Sequence, residues 1–226
     1  MVAPRLDESD HRKVSEAIAA AEASSDGEIL TIVSGESDAY HDVALHWAVA
    51  AMILVLALAA WQTALLTAAW DRLFAGWGEH ATPGQLLFFV MVLAVLTFLG
   101  VLLILRSRPL RLALTPGATK GRRVRRRAIA MFRAAAERRT VGRTGVLIYL
   151  SLAERRAEIV ADEAVTKVTT PECWGDAMAE LVGEIRAGRP GDGLALAIEE
   201  VGEVLNRHFP RTSGDVNEIP DKLIEL

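Results

Sequence analysis

Asp162 and Glu163 are adjacent carboxylates placed just after an apolar, β-branched run, Ala157 to Ala161. Oxygen donors of this kind suit a hard cation such as calcium, which takes about six to eight oxygen ligands. Two side chains leave most of that shell to other groups, and Asp192, Glu28 and Glu154 are the further carboxylates considered. The competing role for Asp162 is to cap the following turn, with Glu163 in water. Arg155 and Arg156 are the basic pair nearest Asp162 in sequence, and together these residues are the cluster that a metal-dependent phosphatase would draw on. Other chemistry is poorly provided for. The chain has no P-loop, no dinucleotide-binding glycine fingerprint and no nucleophile elbow around a serine. Asp215 to Glu218 opens like a calcium loop but lacks its glycine and distal glutamate. The single cysteine, Cys173, excludes an internal disulfide and a zinc spacing, and is expected to be a small buried residue in a reducing compartment. His46 and His80 stand alone and are assigned no site.

Charge and aromatic residues suggest a different partner. Nine Lys and Arg residues lie between Arg106 and Arg127, with no Asp or Glu among them. Within that stretch Arg122, Arg123, Arg125, Arg126 and Arg127 sit on an amphipathic helix whose apolar positions are Val124, Ala128, Met131, Phe132 and Ala135. Such a helix packs its apolar face on a core. Its basic face suits an anionic lipid leaflet, at about 1 kcal/mol per residue close to the surface. No recognition fold or aromatic stripe accompanies the charge, so nucleic acid is not the expected partner. Trp47, Trp61, Trp70 and Trp77 fall at the ends of, or between, two apolar runs, where indole rings anchor at the headgroup level.

Those runs are the dominant elements. Residues 43–66 and 86–105 contain no Asp, Glu, Lys or Arg, and each has the roughly 20 apolar residues that cross a 30 Å hydrocarbon core. They are read as a transmembrane helical hairpin, 43–105, with a loop from about Thr67 to Gln85. Residues 1–14 are polar, so the first run is expected to act as an internal signal anchor. The loop carries only Arg72, against nine cations after the second run, so both termini are expected on the cytoplasmic side of the membrane.

The rest of the 226-residue chain divides around this hairpin. Residues 1–42 supply a helix over 10–23, capped by Ser9 or Asp10, with Val14, Ala17, Ile18 and Ala21 inward, then a strand over 27–34 with Glu28 at an exposed start. One strand cannot stand alone. Its partners are expected in residues 106–210: an extended segment 109–119, a helix over 122–139, a central strand 145–152, a charged turn 153–156, and a strand 157–161. A helix opening at Thr170-Pro171 follows, with Trp174, Met178, Leu181, Val182 and Ile185 inward and Gly188 at its end. A turn at 189–191 leads to a last helix capped by Asp192, with Leu194, Ala197, Ile198, Val201 and Leu205 inward. The tail, 211–226, is expected to be polar and irregular, with Ile219 and Leu223 available to dock.

In this order the segments RTGVLIYLSLAERRAEIVAD (143–162), CWGDAMAELVGEIRAG, GDGLALAIEEVGEVLNRHFP and NEIPD, with helix 128–140 and GEILTIVS, resemble the TPM domain family, and most closely a bacterial membrane subgroup whose domain is interrupted by a transmembrane hairpin. The resemblance implies an α/β fold: a small mixed β-sheet sandwiched between helices, with strand 27–34 pairing to strand 145–152. It also implies the family's range of activities, from weak acid phosphatase and calcium binding to accessory roles in membrane complexes, such as photosystem II repair and modulation of nematode acetylcholine receptors. Soluble members carry a glycine-rich turn after the second strand of the hairpin, where this chain has Ala161-Asp162-Glu163-Ala164. The resulting expectation is a membrane-anchored accessory or scaffolding factor for a membrane complex, possessing calcium as a candidate ligand and a bound membrane protein as partner; the alternative is a metal-dependent phosphatase at the cytoplasmic face.

Overall fold

The computed structural model describes residues 6–74, 81–135, 144–212 and 222–226. Trp77, the helix end at 136–139, Ile219 and the stretch 215–218 lie outside them. Contacts divide the chain into two compact units, Met1–Asp38 with Gly117–Leu226, and Ala39–Pro116.

The first unit is a mixed α/β domain around a four-stranded sheet. β1 (Ile29–Ser34) lies beside β2 (Val146–Ser151) and runs parallel to it, with Ile29 opposite Val146 and Ser34 opposite Ser151. This is the expected pairing across the long intervening segment. β3 (Arg156–Ala161) returns antiparallel to β2, and β4 (Ile224–Glu225) adds to the free side of β1, giving the order β3-β2-β1-β4. All residues of β1 and β2 are buried. They are therefore apolar on both faces, as parallel strands covered on both sides must be.

Two helical layers supply that cover. On one face α1 (Glu8–Glu22), α8 (Gly175–Arg186) and α9 (Pro190–His208) bury Val14, Ile18, Leu181, Leu194, Ile198, Val201 and Leu205 against Ile29, Val33, Val146, Ile148 and Leu150. On the other, α6 (Gly117–Ala135) lays Val124, Ala128 and Phe132 over Leu30, Ile32, Leu147 and Tyr149. Each large apolar side chain so buried contributes roughly 1.5–3 kcal/mol. The α1–α9 contact is close because Gly202 faces Ala21: a Cβ at Gly202 would lie 2.6 Å from the Ala21 Cβ.

Several local expectations are corrected. Asp7, not Ser9 or Asp10, caps α1, in a reciprocal box with Asp10. Pro190 already opens α9 and Arg189 is its cap, so Asp192 lies inside the helix. Thr170 precedes a single 3₁₀ turn, Pro171–Trp174, before α8. A short helix, α7 (Glu163–Val168), follows β3 where none was expected. Glu28 is buried rather than exposed, and Cys173 is exposed rather than buried. The end of the tail meets the sheet: Leu223 is buried and β4 bonds β1, with Leu226 N–H donating to Val33 O at 2.9 Å. Gly188 does end α8. Its φ of 82° places it in the left-handed region, and the Gly188 and Arg189 amides close back on Ile185 and Glu184.

The second unit holds α2 (His41–Trp61), α3 (Thr63–Phe74), α4 (Pro83–Ile104) and α5 (Arg108–Leu114). α2 and α4 pack on each other, and both are long and apolar enough to cross a membrane. The first apolar helix stops at Trp61 rather than running to 66, because Gln62 leaves the helical region at φ −116°, ψ 59°. The supposed loop, from about Thr67 to Gln85, is helical at both ends among the described residues, where α3 runs to Phe74 and α4 begins at Pro83. The segment after α4, expected extended, forms α5: Arg111 is buried with its guanidinium 3.2 Å from His41 Nδ1, and Trp47 Nε1 donates to Leu114 O at 3.4 Å.

Candidate functional site

Asp162 leaves β3 where its amide donates to Gly145 O at 2.8 Å. It is then the N-cap of α7, accepting the Glu163 N–H at 2.9 Å on Oδ1. Glu163 pairs with Lys167 one turn on, at 2.9 Å. Both carboxylates thus serve the start of α7, where negative charge is favoured. The carboxylates considered as co-ligands lie elsewhere or have other partners. Asp192 pairs with Lys13 at 2.6 Å. Glu154 precedes β3 and Asp162 follows it, so the strand's length of about 20 Å separates them. The same geometry separates Arg156 from Asp162, and the proposed phosphatase cluster does not assemble. Glu28 is nearer, at the same end of the sheet: the Val146 N–H donates to Glu28 O at 2.8 Å. Among the described residues, no three His, Cys, Asp or Glu side chains gather as a metal group.

The basic helix is divided by its partners. Arg123 forms an ion pair with Asp38 at 3.0 Å with only 16% of its side chain exposed, so it belongs to the domain rather than to a lipid-facing surface. Arg125 reaches Glu158 of β3 at 3.5 Å. Burial raises the Glu158 carboxyl above the ordinary carboxylate range, and the Arg125 and Arg156 guanidiniums oppose that shift. Arg156 also crosses α6 at its glycines, lying 3.2 Å from where a Gly121 Cβ would sit. Arg122, Arg126 and Arg127 are exposed. Helical spacing puts Arg122, Arg126 and Arg133 on the side opposite the buried Val124, Ala128 and Phe132.

One buried polar cluster was not foreseen from sequence. At the C-terminal ends of β1 and β2, Glu154 is buried and accepts hydrogen bonds from the Ser37 amide, at 3.0 Å, and from the Ser151 hydroxyl. The Ser37 hydroxyl lies 3.1 Å from the Tyr149 hydroxyl, and Ser34 Oγ donates to Glu36 O at 2.8 Å. The neighbouring Arg155 adopts a left-handed φ of 50°. This is the end of a parallel pair at which α/β sheets place their sites. Here each named hydroxyl is matched within the cluster, which anchors the chain as it leaves β1. Its only signal in the sequence is a glutamate three residues after a serine that ends an apolar strand.

Fold and site together define a mixed α/β domain with an apolar helical segment between β1 and α6 in the sequence. No protein-family model and no curated protein matches the chain. Among solved structures it is similar to the NMR structure of BA42 protein from the psychrophilic bacterium Bizionia argentinensis, with a TM-score of 0.56 and 15% identity over 100% of this chain and 99% of that one. At that identity the likeness concerns the fold alone.

Proposed function

We propose that the chain is a TPM-like domain held at the cytoplasmic face of a bacterial inner membrane by a two-helix hairpin inserted in the domain, and that it acts as an accessory or scaffolding factor for a membrane complex. One observation carries the membrane part. Large apolar side chains on α2 and α4 point outward, with Ile53 56%, Leu54 58%, Leu87 73% and Leu103 70% exposed. A helix at the core of a soluble protein buries such residues, and this much contiguous apolar surface marks a lipid or protein interface. α2 and α4, at 21 and 22 residues, correspond to about 31 and 33 Å, matching the hydrocarbon core. Trp47 and Trp61, near opposite ends of α2, fit interfacial anchors. The cations following α4 support the orientation, and exposed Arg122, Arg125, Arg126 and Arg127 suit contact with anionic headgroups.

The accessory role rests on the resemblance to the TPM family and on how the polar side chains are used: Asp162 caps a helix, Glu163 pairs with a lysine, and Glu154 anchors a loop. The test is direct. Full-length protein in detergent is assayed for phosphate ester hydrolysis with calcium, magnesium or manganese. No turnover above that of an Asp162→Ala variant is expected, and turnover abolished by that variant would overturn the accessory reading. Millimolar calcium is expected to leave the thermal midpoint unchanged; a rise that Asp162→Ala removes would establish the metal site.

A further inference from the structure

Resting on the membrane reading, we infer that α3 is an interfacial helix, lying in the headgroup layer on the side where α2 ends and α4 begins, with a phospholipid surface as its partner. The apolar run of α2 stops at Gln62, after a length that already spans the hydrocarbon core, so α3 is not needed to complete the crossing. Its composition differs from that of α2. Leu66, Trp70, Leu73 and Phe74 follow a helical repeat on one side, whereas Asp71 and Arg72 point to the other. A charged pair is costly inside the hydrocarbon and acceptable at its edge.

Packing fixes the level. Trp70 packs on Phe74 with ring centroids 4.4 Å apart and planes tilted by 36°, and both meet Phe89 of α4 edge-on, at 5.7 and 6.3 Å. Phe89 is six residues beyond Pro83, the first residue of α4, or about 9 Å along the helix at 1.5 Å per residue. The aromatic group therefore sits beside the first two turns of α4, at the depth of an interfacial helix, which sinks its apolar face roughly 5–10 Å into the headgroup and acyl boundary. Leu73 and Phe74 remain 67% and 39% exposed. The bilayer is the occupant continuous with the apolar surface of α2 and α4, and a ring of this kind is favoured where one edge is apolar and the other wet.

The experiment places full-length chain in phospholipid vesicles with Trp70 as the only tryptophan, the other four replaced by Phe. Lipids brominated near the glycerol end of the acyl chain are expected to quench Trp70 about twofold more than lipids brominated near the middle, with little quenching by aqueous iodide. A control with Ile53→Trp in place of Trp70 is expected to respond most to the deep bromines. If the control behaves so but Trp70 quenches with iodide, with deep bromines, or with neither, the interfacial assignment falls while the hairpin stands. If the control fails too, the hairpin reading itself falls. A nitroxide on Leu73→Cys in a Cys173→Ser chain keeping every tryptophan gives an independent depth, expected at the headgroup and acyl boundary and contradicted by a depth in bulk water or mid-bilayer.

Discussion

Ser37 donates its backbone N–H to Glu154 at 3.0 Å, across 117 positions of sequence. The bond ties the chain leaving β1 to the turn between β2 and β3, so the strand before α2 is held to strands that come long after α4. Because Glu154 is buried and also accepts from Ser151, Glu154→Ala strands the buried Ser151 hydroxyl and the half-buried Ser37 amide. The expected cost is about 1–3 kcal/mol, read as a lower midpoint in thermal unfolding of the full chain in detergent. An unchanged midpoint would show that the cluster does not anchor the strand.

Glu158 behaves in the opposite sense. Its carboxyl is raised by burial despite Arg125 and Arg156. A carboxyl with a raised folded pKa favours folding fully below its ordinary value, near pH 4.3, and loses that contribution as pH rises through the raised value. Glu158→Gln is therefore expected to be at least as stable as the parent near neutral pH, with the advantage fading in acid. A loss above about 1 kcal/mol near neutral pH would mean that the Arg125 pair outweighs the burial.

Arginines three apart on α6 are expected to separate by phenotype. Arg123→Ala removes the pair with Asp38 and should lower the unfolding midpoint. Arg126→Ala should leave the midpoint within about 0.5 kcal/mol of the parent. In vesicles of zwitterionic and anionic lipid, it should instead weaken the protection of α6 from hydrogen exchange that anionic lipid confers. The reverse pattern would reassign both residues.

The α1–α9 contact gives a packing test. Gly202→Ala places its Cβ against Ala21 and is expected to cost about 1–3 kcal/mol through overpacking. Ala21→Gly in the same chain should recover most of the loss, since the two sites share one contact. Additive losses would contradict the close approach.

What could be read from residues alone follows the reach of each signal. Period and composition placed Val14 to Ala21, Val124 to Phe132 and Leu194 to Leu205 on inward faces, because a helix repeats its buried side locally. The β-branched and aromatic run of β2 likewise announced a central strand, whereas helices on both faces of the sheet were implied by the family resemblance. Three kinds of feature escaped. α5 has too few residues for a period to show, and its partners His41 and Trp47 lie far back in the sequence. β4 is two residues long and exists because β1 offers a free edge. Glu154 stood in a charged turn that suggested solvent, and only the convergence of Ser37, Ser151 and Tyr149 explains its burial. Capping had a similar ambiguity: Asp7, Ser9 and Asp10 are all competent, and the reciprocal bond with Asp10 selects Asp7. The candidate metal pair was visible as two carboxylates, but sequence adjacency held no information on which third group would approach.

The central claim is a hairpin that crosses the membrane twice and leaves the α/β domain on one side. The most direct measurement is labelling with a membrane-impermeant thiol reagent. Native Cys173 is exposed and serves as the reporter for the domain; Glu79→Cys in a Cys173→Ser chain reports the segment between α3 and α4. In intact spheroplasts the cysteine at 79 should label and Cys173 should not, and in inverted vesicles the pattern should reverse. Labelling of both positions from the same side would contradict the hairpin.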